Sequence, residues 1–446
     1  MKNRREFLGT SAATAAAAWA SGKLYAVDAN VKPGPNETIN LGLVGCGVRG
    51  RQLVDIFNGL DGVRFAAVCD VDSKRMADVR GQAGGEKVLA YHDYRKMLDN
   101  KDIDAVVVAT NGHWKALTTI HACQAGKDVY TEKPLATSIG EGRFMVEAAK
   151  KYNRIVQIGT QQHSANHYRK AVEIVQSGRL GRISEVKVWD DINHNPGLGM
   201  PPNSDPPEEL DWDFWLGPSP KVPYNPNRIS QHYWFFDYGG AWQLDWAVHH
   251  YDIVHWAMNT HTPLSAFAAG GHFCFDNENR EWPDTFSGVL EYGPCPAADK
   301  GFLLQYTARA GNQHDNFPLS NAKCFYGTDA TLLVHRGGYT FTPEIRRTRK
   351  ELKSETVPAK EHDGRAFDSG DTVHQQKFLE NVRNRTQAET DAETGHYSSI
   401  PGHLMNIAWK VGRKVKWNAE QEQIVEDDDA NALVTKQYRS PWKLEV

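Results

Sequence analysis

Short apolar runs and stretches of helical period alternate along the first third of the chain. Ile39-Asn40-Leu41-Gly42-Leu43-Val44 reads as a buried strand, Arg51 to Phe57 as a helix and Val63 to Cys69 as a second strand. Further strands are expected at Ala105 to Thr110, after the helix-like Tyr94 to Leu98, and at Asp128 to Thr131, after the helix-like His113 to Ala125. Strands apolar throughout need cover on both faces, and the strand–helix rhythm supplies it through right-handed crossovers. The expectation is an α/β fold, a doubly wound parallel sheet with its ligands at the carboxyl ends of the strands.

Downstream the pattern loosens. Asn193 to Arg228 is punctuated by Pro and Gly and is too long for a simple turn, a composition typical of loops that cover a site or an interface. Its Trp212, Trp215 and Tyr224, with Tyr233 beyond, are candidate walls for a sugar ring. A helix is expected over Ala241 to Met258, and others over Thr372 to Arg383 and Ile400 to Val415; the acidic run Glu426 to Asp429 reads as a solvated face. A chain of 446 residues exceeds one hydrophobic core. The organisation expected is a segment 1–26, a linker 27–38, a nucleotide domain 39–160 and a second α/β domain 161–446.

The first strand runs into Gly45-Cys46-Gly47-Val48-Arg49-Gly50, a G-x-G-x-x-G turn. The first glycine permits the turn, the second lets backbone approach a pyrophosphate, and the third lets helix pack on strand, with phosphate at the helix N-terminus. Asp70 ends the next strand twenty residues beyond Gly50. A carboxylate there accepts from adenosine ribose hydroxyls and repels an extra phosphate, favouring NAD over NADP, although Lys74 and Arg75 lie close by. Thr110, Asn111 and His113 follow one strand end, and Glu132 and Lys133 another, so these residues, with Val48 and Arg49, are placed at the cofactor crevice.

Net charge is −4 with both signs interspersed, so there is no basic field for a nucleic-acid backbone, and no segment is long and apolar enough for a membrane span. Asn3-Arg4-Arg5-Glu6-Phe7-Leu8 before an alanine-rich run resembles a twin-arginine export signal, which implies a periplasmic location and a protein that folds before export. Cys46, Cys69 and Cys123 fall inside nucleotide-domain elements and are expected as buried free thiols; no Cys-x-x-Cys pair occurs.

Gly45 to Gly50, Asp70, Glu132-Lys133-Pro134, Gln157 to Gln161, Leu210 to Pro218 and Gly239-Gly240 followed by Asp245 and His249 together resemble the Gfo/Idh/MocA family of glucose-fructose oxidoreductase and inositol dehydrogenase. The resemblance implies a Rossmann domain followed by an α/β domain with a large, mostly antiparallel open sheet that supports a homo-oligomer, a dimer or tetramer. It also implies that Lys133, Asp245 and His249 serve the chemistry. Two departures stand out: Asn111 replaces a common Pro, and His163 replaces a common Arg.

Read physically, Asp245 and His249 four apart would share one helical face, where a carboxylate can orient an imidazole, while His250 points elsewhere. A neutral imidazole suits removal of a carbinol proton, and Lys133 would stabilise the developing alkoxide. A metal reading of Asp245, His249 and Asp252 is possible on spacing, but nothing else suggests one, and no metal is expected. The expected activity is NAD-dependent oxidation of a secondary hydroxyl of a sugar or glycoside, with tightly held cofactor. A redox-neutral glycosidase acting by oxidation and elimination is a rival, with His163, His194, Tyr233 or His250 as the extra base. A noncatalytic NAD-containing protein is another.

Overall fold

The computed structural model describes residues 38–313, 319–344, 354–358 and 370–446. The segment 1–26 expected as an export signal lies outside the described residues, as does the expected linker up to residue 37, and Ile39 to Val446 forms one compact unit.

The first half alternates strand and helix: β1 (Ile39–Val44), α1 (Val48–Asn58), β2 (Val63–Cys69), α2 (Ser73–Ala83), β3 (Leu89–Tyr91), α3 (Tyr94–Leu98), β4 (Ala105–Val108), α4 (Gly112–Gln124), β5 (Asp128–Thr131), α5 (Ile139–Lys151) and β6 (Val156–Ile158). The strands form one parallel sheet in the order β3-β2-β1-β4-β5-β6, so the order reverses between β1 and β4. Alternate residues of each strand enter separate cores: Leu41, Leu43, Val68 and Val107 on one face, Val44, Ala67, Val106 and Val108 on the other. Both faces are covered, which is why these strands carry almost no polar residues.

The second half begins with α6 (Asn166–Gln176) and β7 (Ile183–Asp191), then crosses the long loop through α7 (Trp212–Leu216), α8 (Pro226–Ser230), α9 (Trp242–Asp245) and α10 (Val248–Met258). Strands β8 (Ser265–Gly271), β9 (Thr285–Tyr292), β10 (Phe302–Arg309), β11 (Asn321–Gly327), β12 (Ala330–His335), β13 (Gly338–Pro343) and β14 (Glu355–Pro358) follow, then α11 (Asp371–Asn384), α12 (Ala392–Val411), β15 (Val415–Asn418) and β16 (Gln423–Ile424). Ten strands join in the order β14-β13-β12-β11-β7-β10-β9-β8-β15-β16, antiparallel at every described pairing except β7 with β10. Burial alternates along β9 and β10, because α6, α10 and α12 cover one face and leave the other open.

Two expected helices take different bounds. The helix expected from Ile400 begins at Ala392, capped by the Asp391 side chain on the Thr394 amide at 2.8 Å, and ends at Val411 with Gly412 in the left-handed region. Val415 is therefore in a strand. The helix expected over Ala241 to Met258 is two, broken at Trp246–Ala247. The C-terminal segments also return to the nucleotide sheet: Phe378 and Leu379 of α11 pack with Phe57 and Tyr130, so the boundary at residue 160 separates the sheets but not the cores.

Candidate active site

A cavity of about 1180 Å³ lies where the carboxyl ends of β1, β2, β4 and β5 meet the loops and helices of the second half. Gly45, Gly47, Val48, Arg49, Asp70, Thr110, Asn111, Glu132, Lys133, Tyr233, Asp245 and His249 line it, as do Lys115, Trp246, Arg336 and Asp371.

At the nucleotide end the turn is built by close approach. Gly45 has φ +100, and a Cβ there would meet the Ala109 backbone at 2.7 Å; a Cβ on Gly50 would meet the Gly45 carbonyl oxygen at 2.1 Å. A Cβ on Gly47 would meet nothing within 4 Å, so its backbone faces open space at the uncapped N-terminus of α1. Those free amides suit an anion. Asp70 accepts from the amides of Cys46 at 2.5 Å and Asp72 at 2.9 Å, and burial raises its pKa against those bonds. Arg75, the cation that weakened the NAD preference, pairs with Asp72 at 3.2 Å. Arg49 bridges Glu132 at 2.7 Å and Asp371 at 2.8 Å, tying the glycine turn to β5 and α11.

At the other end, the Lys133 ammonium donates to the Asp245 backbone carbonyl at 2.5 Å and lies 5.3 Å from the Trp246 ring centre. Burial lowers its pKa, with Asp245 and Glu132 opposing. The Asp245 carboxylate accepts from the Gly240 amide at 2.8 Å, and burial raises its pKa. Gly239 is needed here, since a Cβ would meet the Tyr233 Cα at 2.5 Å. His249 is buried and lines the cavity, and its Nδ1 has no protein partner. Burial, then the charges of Lys133 and Arg336, press its pKa well below the ordinary histidine value, so the ring is neutral at pH 7.

The expected pairing of Asp245 with His249 on one helical face does not form. The chain breaks between their helices, and Asp245 instead fixes the Lys133 ammonium through its carbonyl and the glycine turn through its carboxylate. His250 turns away to Asp190 at 3.0 Å, as the spacing suggested. Of the four candidate substrate contacts, Tyr233 lines the cavity. His163 is buried behind it against Asp252 at 2.9 Å and stacks on Trp256 at 4.2 Å; His194 packs half-buried between Trp234 and Trp242. The His113 ring bonds the Trp215 carbonyl at 2.8 Å, and Gly50 faces the turn rather than the cavity. Trp215 and Tyr224 are on the wall, with Trp212 stacked behind Trp215 at 4.7 Å.

Sequence reasoning missed three residues. Lys115 is buried on α4, and its ammonium donates to the carbonyls of Lys133 at 2.7 Å and Pro134 at 3.0 Å; burial pulls its pKa down to about 8. A lysine in the apolar run around Trp114 and Ala116 was the available signal. Asp371 and Arg336 had none, since each reaches the cavity only through tertiary placement. Among the described residues no cluster of His, Cys, Asp and Glu could hold a metal ion, and no helix is long and apolar enough to cross a membrane. The cysteines are free, with Cys46, Cys69, Cys123 and Cys324 buried.

A family model described as an oxidoreductase family with an NAD-binding Rossmann fold matches residues 39–160, and one for the C-terminal α/β domain of an oxidoreductase family matches 169–266 and 348–444. Inositol 2-dehydrogenase 2 of Saccharopolyspora erythraea is 34% identical over 147 residues, covering 32% of this chain and 43% of that protein. A glycosyl hydrolase family 109 protein of the same organism is 29% identical over 202 residues, covering 41% of this chain and 44% of that one. The chain thus spans less than half the length of these curated relatives. A structure of levoglucosan dehydrogenase in complex with NADH and levoglucosan superposes with a TM-score of 0.64 at 15% identity, over 85% of this chain and 99% of that one, a likeness of fold.

Proposed function

This chain belongs to the Gfo/Idh/MocA oxidoreductase family, and from that premise we propose that it oxidises a secondary hydroxyl of a sugar or glycoside with tightly held NAD. The observation that carries the proposal is the joining, in one cavity, of a glycine-turn anion cradle with Asp70 at one end and Lys133 and His249 at the other. The residues present fit the cofactor. The Gly47 backbone and the α1 N-terminus would take the pyrophosphate, Asp70 the ribose hydroxyls, and the partnerless Thr110 and Gln161 side-chain oxygens on the wall are free for polar contacts. NAD, when bound, supplies the two-electron redox chemistry by exchanging hydride with a carbinol carbon.

The protein's part is positioning and proton handling. Lys133, fixed by the Asp245 carbonyl, places a positive charge where a substrate oxygen gains negative charge in a largely dry site. The neutral His249 ring is available to accept the hydroxyl proton. Asp245 acts as the positioning residue for Lys133. The purified protein should carry NAD through dialysis, and Lys133→Met and His249→Ala should lower kcat by at least about 100-fold while leaving that NAD in place. Mass spectrometry of the denatured supernatant and single-turnover kinetics read both, and absence of cofactor would sink the reading.

A second reading, a redox-neutral glycosidase, is favoured by the glycosyl hydrolase relative. Its extra base for a carbon-bound proton would be Tyr233, the one residue of the four proposed for that role that lines the cavity. Glycoside cleavage without net NADH distinguishes it from stoichiometric NADH release. We further propose export by the twin-arginine route to the periplasm and assembly as a dimer or tetramer, read by fractionating cells carrying Arg4→Lys and Arg5→Lys and by sedimentation of the mature protein.

A further inference from the structure

Nearly every cation on the cavity wall has its partner. Arg49 holds Glu132 and Asp371, Arg75 holds Asp72, Lys115 is bonded to two carbonyls, and Lys133 to one. Arg336 differs. It stands at the turn between β12 and β13, its guanidinium 5.2 Å from the Trp246 ring centre, with Nε buried and bonded to nothing, and it takes part in no ion pair among the described residues. Lys133, His249, His250, Lys323 and Tyr168 all feel its charge.

The nearby carboxylates are engaged elsewhere. Asp190 holds His250 at 3.0 Å and the Tyr306 hydroxyl at 3.2 Å; Asp252 holds His163 at 2.9 Å and the Ser398 hydroxyl at 2.9 Å; Asp245 holds the Gly240 amide. Behind them the fully buried Lys323 bonds the Gln162 side-chain oxygen at 2.9 Å, and Asp190 and Asp252 act on its charge without pairing with it directly. A partly desolvated guanidinium that no carboxylate among the described residues pairs with is costly, so a ligand anion gains what those residues do not supply. The planar fork of donors matches a carboxylate in two parallel hydrogen bonds, and one unpaired guanidinium balances one negative charge. Lys133 and Arg336 both lie against the Trp246 ring, and all three residues line the one cavity.

We propose that Arg336 is a specificity-determining residue that binds a carboxylate of the substrate, and that the substrate is therefore an acidic sugar, a uronate or its glycoside, rather than a neutral one. The substrate assignment rests on the oxidoreductase reading; the binding preference does not. NAD-loaded protein titrated with glucuronate, glucose, galacturonate and galactose, read by tryptophan fluorescence, should bind each acid about 10- to 100-fold more tightly than its neutral parent. Added salt should weaken the acids selectively. In Arg336→Gln the acid-to-neutral ratio should fall to within about threefold of unity, and Arg336→Lys, keeping the charge without the fork, should fall between. The same ratios in kcat/KM extend the assignment to turnover. Equal binding of acid and neutral sugar, no binding of either, tighter binding of glucose 6-phosphate than of glucuronate, or a preference that survives in Arg336→Gln overturns the proposal. Preferential binding of acids without oxidation of any sugar would instead fail the redox reading and leave this one standing.

Discussion

Lys133 is reached by three different kinds of support, which explains why no single neighbour identifies its role. Lys115 holds its carbonyl, Asp245 receives its ammonium, and Trp246 flanks it. Removing the Lys115 ammonium leaves two buried carbonyls without a donor, each worth roughly 1–3 kcal/mol. Lys115→Met should therefore lower kcat about tenfold or more while NAD affinity stays within about threefold. It should also move the basic limb of the kcat profile upward, because the two ammoniums repel and loss of one raises the other. A merely structural lysine would lower the yield of folded protein and leave that limb in place. Lys115 was hidden in the sequence for a plain reason: nothing in a helical apolar run says which carbonyls will lie opposite.

At the scale of elements, the loop between β7 and α8 answers its reading as a segment that covers function. Glu209 accepts from the Ser73 amide at 2.9 Å, the Asp211 amide donates to the Val71 carbonyl at 3.0 Å, and Asp211 meets His92 at 3.2 Å. These contacts strap Pro207 and Leu210 over the ends of β2 and β3, beside Asp70, where they line the cavity. A cofactor bound there would be enclosed at its adenosine end. Leu210→Ser removes roughly 2 kcal/mol of apolar cover and should raise the cofactor dissociation rate about tenfold, measured by chasing bound NADH fluorescence with excess NAD. An unchanged rate would show that the strap does not hold the ligand. The Pro and Gly content marked this loop as exceptional; the strand ends it covers were not readable, because its docking partners lie more than a hundred residues earlier.

For the whole molecule, the junction between the two sheets has its own charge device. Burial alone would push His163 down, but Asp252 of α10 and Glu389 beyond α11 override it and hold its pKa at about 9, above the ordinary 6.5. A raised folded-state pKa contributes stability that is complete below pH 6.5 and is lost as pH rises through 9, here on the order of 3 kcal/mol. Urea unfolding at pH 6 and pH 9 should show that loss in the native protein and a flatter response in His163→Gln; equal slopes would remove His163 from the account. The parallel sheet, the glycine turn, Asp70 and the crevice at the strand ends were determined by the sequence itself, because they rest on local apolar runs and on backbone that glycine alone permits. The break after Asp245, the return of Phe378 to the nucleotide core and the meeting of Lys115, Trp246 and Arg336 around one cavity were decided only by the tertiary structure. Those contacts join residues far apart in the chain, where periodicity carries no information about which surfaces will face each other.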